Sequence, residues 1–153
     1  VPNSATRVQP QVDPRGPRFA AWVTSVVLVV VLATGWWPLL AAQAVVFAIG
    51  GFIGLRPAPY AALFRLLVAP RLAPTTERED AAPVRFAQSV GFGFALVGVL
   101  GYALAVPALG MVATAFALAA AFLNAAFGFC LGCEAYLLIN RLSNTLRKVG
   151  TAR

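Results

Sequence analysis

Phe19-Ala20-Ala21-Trp22-Val23-Thr24-Ser25-Val26-Val27-Leu28-Val29-Val30-Val31-Leu32-Ala33-Thr34-Gly35-Trp36-Trp37-Pro38-Leu39-Leu40-Ala41-Ala42-Gln43-Ala44-Val45-Val46-Phe47-Ala48-Ile49-Gly50-Gly51-Phe52-Ile53-Gly54-Leu55 is the stretch that decides the fold. No charged residue interrupts it, and Arg18 and Arg56 bound it. A helix needs roughly 20 apolar residues to cross a hydrocarbon layer about 30 Å thick. The run is too long for one crossing and fits two. Gly35-Trp36-Trp37-Pro38 divides it, because Gly and Pro mark a turn and paired Trp suits the membrane–water interface. The reading is a helix over 18–35 and a second over 38–55.

The rest of the chain repeats the pattern. A second uncharged stretch lies between Arg85 and Glu134, and Pro107 divides it into helices over 84–105 and 107–129. Gln43, Gln88 and Asn124, the main amide side chains in these spans, are expected to face other helices, where their polar groups find partners. Gly50 and Gly54 form a Gly-x-x-x-Gly spacing that hints at close packing. The first run could imitate a secretory signal ending at Ala42-Gln43-Ala44, but it continues into another span rather than a polar domain, which argues against cleavage.

Composition agrees. Of 153 residues, 60% are hydrophobic and 11% charged, against about 25% charged in a soluble domain; the mean hydropathy is +0.81. The net charge of +7 comes from 12 Lys and Arg against 5 acids, with no His. A basic balance can mean nucleic acid, but that requires a basic face on a soluble fold. Here the basic residues flank the apolar runs and the turns near Gly35–Pro38 and 105–107 carry none. All basic positions, from Arg7 to Arg153, therefore fall on one side. By the positive-inside rule that side is cytoplasmic. The chain reads as a single all-α domain over 1–153 in the cell membrane, a four-helix bundle with both termini cytoplasmic.

The two halves resemble each other. Asp13-Pro14-Arg15-Gly16-Pro17-Arg18-Phe19-Ala20 opens the first, and Asp80-Ala81-Ala82-Pro83-Val84-Arg85-Phe86-Ala87 opens the second. Arg71-Leu72 and Arg141-Leu142 close them. Two repeats, over about 13–72 and 80–142, would each cross twice, so they would be parallel, related by an axis along the membrane normal. Each is followed by an amphipathic stretch. Tyr60, Leu63, Phe64 and Leu67 recur at helical spacing, as do Leu138, Leu142 and Leu146 opposite Arg141 and Arg147. Both read as helices at the cytoplasmic interface, or packed on the bundle end. Thr75–Asp80 reads as a solvated loop.

Chemistry concentrates in Phe127-Gly128-Phe129-Cys130-Leu131-Gly132-Cys133-Glu134. Cys130 lies roughly 33 Å beyond Ala108 along a helix, which places it at the cytoplasmic boundary. Two thiols at this spacing can close a disulfide or hold one soft ion. In a redox pair Cys130 attacks and Cys133 resolves; Glu134 is a candidate proton acceptor for Cys133, or a solvated boundary residue. Gly128 and Gly132 offer hinges. A break with a helix restarting near Leu131 would put the thiols at a helix N-terminus, which favours thiolate. A straight helix would put them near a C-terminus and Glu134, which disfavours it. A closed zinc site needs four ligands, whereas Cu(I) could use Cys130 and Cys133 alone. The absence of His excludes Ser-His and Cys-His nucleophiles within the chain, there is no phosphate-binding Gly-x-x-x-x-Gly-Lys loop, and uncharged spans argue against ion coupling through buried carboxylates.

The Asp13–Phe19 opening, Arg85-Phe86-Ala87-Gln88, and Asn124-Ala125-Ala126-Phe127-Gly128-Phe129-Cys130-Leu131-Gly132-Cys133-Glu134 resemble one family, domain of unknown function 4395, small membrane proteins common in actinobacteria. The resemblance spans about Val12 to Leu142. It implies a membrane location and an association with thioredoxin-like proteins and thiosulfate sulfurtransferases. Three functions follow as expectations: a thiol–disulfide or persulfide relay with such a cytoplasmic partner, a non-catalytic accessory or assembly subunit of a larger membrane complex, or a soft-metal site.

Overall fold

The computed structural model describes residues 10–151. Arg7 and Arg153, counted above on the basic side, lie outside them, as do the outermost parts of both tails. The elements in chain order are a two-residue strand β1 (Gln11–Val12), α1 (Arg15–Thr34), α2 (Trp37–Ala48, continued by a π-helical turn Ile49–Ile53), α3 (Pro59–Leu63, continued by a π turn Phe64–Val68 and a 3-10 turn Ala69–Arg71), β2 (Glu79–Asp80), α4 (Ala81–Ala103), α5 (Pro107–Phe127) and α6 (Leu131–Thr151). The fold is all-helical apart from one antiparallel ladder, in which Gln11 pairs with Asp80 and Val12 with Glu79.

Three helices, α1, α4 and α5, are long and apolar enough to cross a membrane. The fourth apolar helix, Trp37–Ile53, is shorter. Its 17 residues reach roughly 26 Å at an α-helical rise, and Gly54, at φ 150°, ends it. The expected span over 38–55 is thus trimmed. The helices over 18–35 and 84–105 start three residues earlier than expected, at Arg15 and Ala81. Pro17 and Pro83 fall in first turns, where a missing N–H costs nothing.

Packing is crossed. α1 lies on α5, α2 on α4, and α4 also on α5. The core between them is Leu28, Val31, Leu40, Ala44, Ala95 and Ala117, with Phe47 beside Gly91. Close approach comes from glycine. A Cβ on Gly51 would meet Ser89, and one on Gly101 would meet the Gly110 backbone, both at 2.5 Å. The tight contact in helix two is therefore made by adjacent Gly50 and Gly51 against α4, and not by the Gly50/Gly54 spacing.

One end of the bundle collects the starts of α1 and α4, the ends of α2 and α5, and the side chains of Arg18 and Arg85. The β1–β2 ladder holds the starts of α1 and α4 together, reinforced by the Ala81 amide donating to Pro10 at 2.9 Å. Arg85 of α4 donates to Gly51 and Phe52 at the end of α2, both 3.2 Å, and Arg18 of α1 donates to Ala125 near the end of α5 at 3.3 Å. Both arginines satisfy carbonyls that a helix end leaves without intrahelical partners. Thr75–Asp80 departs from the expected loop only in its last two residues, which pair with β1. Of the first amphipathic stretch only Phe64 is buried, against Phe19 at 5.8 Å between rings. On α6, Leu138, Leu142 and Leu146 are all exposed.

Candidate functional site

α5 stops where the sequence allows a stop. Gly128 adopts φ +69°, its amide donating to Asn124 O at 3.0 Å, and the Phe129 amide reaches back to Leu123 O. A left-handed glycine of this kind terminates a helix by satisfying its last carbonyls. The chain restarts as α6 at Leu131. Of the two arrangements open to the sequence, the structure has the broken one, with the hinge at Gly128. Gly132 is no hinge. It lies within α6, and a Cβ there would sit 2.6 Å from Cα and Cβ of Ala87, so its bareness lets α6 cross α4. The crossing is extended by Tyr136 against Phe86, with 5.7 Å between ring centroids.

This crossing positions the cysteines. Cys130 occupies the position just before α6: its carbonyl accepts from the Glu134 amide at 3.0 Å, and its Sγ accepts from the Cys133 amide at 3.2 Å. Cys130 and Cys133 are joined as a disulfide, with Cα atoms 5.2 Å apart. Cys130 is half-buried and Cys133 is buried. Glu134 sits exposed in the first turn of α6, where a negative charge complements the helix dipole, and among the described residues it makes no side-chain hydrogen bond or ion pair. Among the described residues no group of three or more His, Cys, Asp or Glu is placed to hold a metal ion.

The pair opens onto a cavity of about 400 Å³ between α1, α4, α5 and α6. Its deep part is lined by Phe47, Phe94, Phe116 and small residues of α5. Its mouth carries Arg18 and Glu79, and Gln88 and Asn124 lie between. Burial, and secondarily Asp80, raises the Glu79 carboxyl above its ordinary range. Of the amides, Gln43 is fully buried, donating to Thr24 at 3.4 Å and accepting from Tyr60 at 2.6 Å, which links α1, α2 and α3. Burial pushes the Tyr60 hydroxyl up. Gln88 and Asn124 make no side-chain hydrogen bond among the described residues; both line the cavity, and the Gln88 side chain also lies against Gly50 of α2, so it faces another helix as expected without a polar partner there.

Sequence reasoning singled out both cysteines and Glu134 but missed Arg18 as part of the site. Arg18 lies beside Gly128, its Cζ 3.9 Å from where a Cβ would be. The signal was present in the parallel placement of Arg18 and Arg85 in the two halves. No curated protein and no solved structure matches the chain. A family model does, over residues 12–141, which takes in α1 to α5, the cysteine motif and the first half of α6. The chain belongs to the family described as Domain of unknown function (DUF4395).

Proposed function

We propose that the chain is a cell-membrane relay of thiol–disulfide or persulfide equivalents, with Cys130 as the attacking or sulfur-carrying thiol and Cys133 as the resolving one. The asymmetry of the pair carries the reading. Cys130 is the more accessible sulfur and sits at a helix start, where the backbone amide of Cys133 favours its thiolate; Cys133 waits behind it within bonding reach. A partner thiolate attacks Cys130 Sγ and releases Cys133 as thiolate. The partner's second thiol then displaces Cys130, so two electrons pass to the pair and the partner leaves as a disulfide. In the sulfur-carrying form, Cys130 accepts a sulfane sulfur as a persulfide. Cys133 then attacks Cys130 Sγ, closing the disulfide and releasing hydrosulfide. The partner that fits is a cytoplasmic thioredoxin-like or sulfurtransferase protein.

The test is the redox state of both cysteines in intact cells, by differential alkylation and mass spectrometry. The pair is expected to cycle when thiosulfate or oxidant is supplied, and Cys133→Ser to trap a mixed disulfide through Cys130. Thiols inert under every condition would overturn the relay. The accessory-subunit reading draws on the exposed Leu138, Leu142 and Leu146 stripe; a stable complex isolated in mild detergent and lost on Leu142→Glu is its expected signature.

The architecture we propose is two parallel repeats whose four apolar helices all cross, with both termini cytoplasmic and α3 and α6 at the cytoplasmic interface. Paired contacts support it: Arg18 on the end of α5 mirrors Arg85 on the end of α2, and Phe19–Phe64 mirrors Phe86–Tyr136. Cysteine-accessibility labelling from either side, at Trp36→Cys and Thr76→Cys, is expected to give opposite sides.

A further inference from the structure

The cavity behind the cysteines has a form that the pair alone does not require. It runs inward along α4 from Val84 to Phe94, roughly 15 Å at the helical rise, and so from the basic end toward the middle of the spans. At 400 Å³ it is within the range of small-molecule sites, about 300–1,000 Å³. Its flank is formed by Val90, Phe94 and Phe116, which are also exposed on the outer surface of α4 and α5; the two rings stack with centroids 6.1 Å apart. A lipid-dissolved molecule therefore meets this flank without passing through water. Small side chains, at Ala117, Ala120 and Ala121, leave room for a flat ring against Phe47 and Phe94. Among the described residues no charged side chain lines the deep part. Between the mouth and the deep part lie the Gln88 and Asn124 amides, which make no side-chain hydrogen bond among the described residues and can donate to carbonyl oxygens.

We infer that the cavity binds the head of a lipid-soluble quinone, which exchanges two electrons with Cys130 and Cys133. The inference rests on the relay reading and names its membrane-side partner. In the oxidising direction both S–H bonds break and the S–S bond forms. The two electrons and two protons convert the quinone's carbonyls to hydroxyls, giving one quinol per disulfide. Gln88 and Asn124 hold the carbonyl oxygens while charge develops on them. A cytoplasmic dithiol partner then reopens the disulfide from the mouth. Electrons thus enter from the wet end and leave through the lipid-facing end.

The test uses the full chain in lipid nanodiscs, its disulfide reduced and the reductant removed, mixed with a short-chain ubiquinone analogue whose ring positions are all substituted. Quinol is followed by ultraviolet absorbance and disulfide by mass. One quinol per disulfide is expected, with re-oxidation faster than without quinone. Gln88→Leu is expected to raise the half-saturating quinone concentration about tenfold, the effect of one lost hydrogen bond. Ala120→Trp, which fills the cavity, is expected to lower the quinone-driven rate at least as much relative to exchange with dithiothreitol. Ala115→Trp on the outer face of α5 is expected to leave that ratio unchanged. Re-oxidation no faster with quinone than without it, in a protein that still exchanges with dithiothreitol, overturns the quinone site and leaves the relay standing. A pair that exchanges with neither overturns both. Equal ratios for Ala120→Trp and Ala115→Trp would show oxidation outside the cavity and overturn the site.

Discussion

Gly132→Ala tests the contact on which the placement of both cysteines depends. The added Cβ would lie 2.6 Å from Cα and Cβ of Ala87, whereas carbon atoms pack best at about 3.5–4.0 Å. α6 must then move from α4 by about 1 Å. Overpacking of this kind costs about 1–3 kcal/mol, offset by about 1 kcal/mol that Ala gains over Gly within a helix. Gly150 supplies the control. It lies in the same helix with nothing within 4 Å of its Cβ position, so Gly150→Ala keeps the helical gain and makes no clash. The difference between the two substitutions isolates the crossing at about 1–3 kcal/mol.

The assay uses a Cys130→Ser background, in which Cys133 is the sole thiol and is buried. Its alkylation rate in the folded protein, divided by the rate in denaturant, reports the free energy of opening when reclosing is fast. Gly132→Ala is expected to lower Cys133 protection below that of Gly150→Ala by roughly five- to 150-fold. Equal protection in the two variants would refute the reasoning, because it would mean that α6 does not rest on Ala87.

Other outcomes follow from single contacts. Gly128→Ala forces a side chain into φ +69° and is expected to cost about 1–2 kcal/mol, read by the same protection ratio. Arg85→Gln removes two donors from the end of α2 and is expected to lower the thermal midpoint more than Arg18→Gln, which removes one. Tyr102 buries a hydroxyl with no hydrogen-bond partner among the described residues; Tyr102→Phe is expected to stabilise by about 1 kcal/mol, seen as a raised midpoint in detergent. Two carboxyls set opposite pH limbs. The Arg15 side chain, bonded to Asp13 at 2.8 Å, holds that carboxyl below its ordinary range. Its stabilisation is present above the ordinary value and lost as pH falls toward the depressed one, so Asp13→Asn flattens the acid limb. Burial raises the Glu79 carboxyl, so its contribution falls as pH rises from the ordinary value through the raised one. Glu79→Gln flattens that limb, measured as midpoint against pH.

Charge-free length carried most of the fold. The runs flanked by Arg18, Arg56, Arg85 and Glu134 placed four helices because burying charge in hydrocarbon is costly over any arrangement of the chain. The ends were less legible, for local reasons. Pro17 and Pro83 read as boundaries, yet proline is accommodated in a first turn. Gly54 and Leu55 are apolar and continue the run, yet the φ of Gly54 ends the helix at Ile53. The β1–β2 ladder pairs residues that neither alternate in hydropathy nor sit near a turn, and it joins segments far apart in sequence.

The site shows where a one-dimensional reading runs out. Cys130, Cys133 and Glu134 are adjacent, so spacing alone brings them forward. Whether the thiols sit at a helix start or a helix end depends on two glycines that look alike in sequence and do different work. Gly128 is used for its positive φ, and Gly132 for the space where a side chain would be. Only the second helix in contact distinguishes them: Ala87, on α4, fills the space beside Gly132 and leaves Gly128 to take the bend. Reversing the roles would run α6 straight on from α5, move the pair away from the cavity, and set Cys130 Sγ against carbonyls rather than the Cys133 amide. The chemistry open to Cys130 is therefore decided by an alanine more than forty residues away, whose small side chain gave the sequence no reason to single it out.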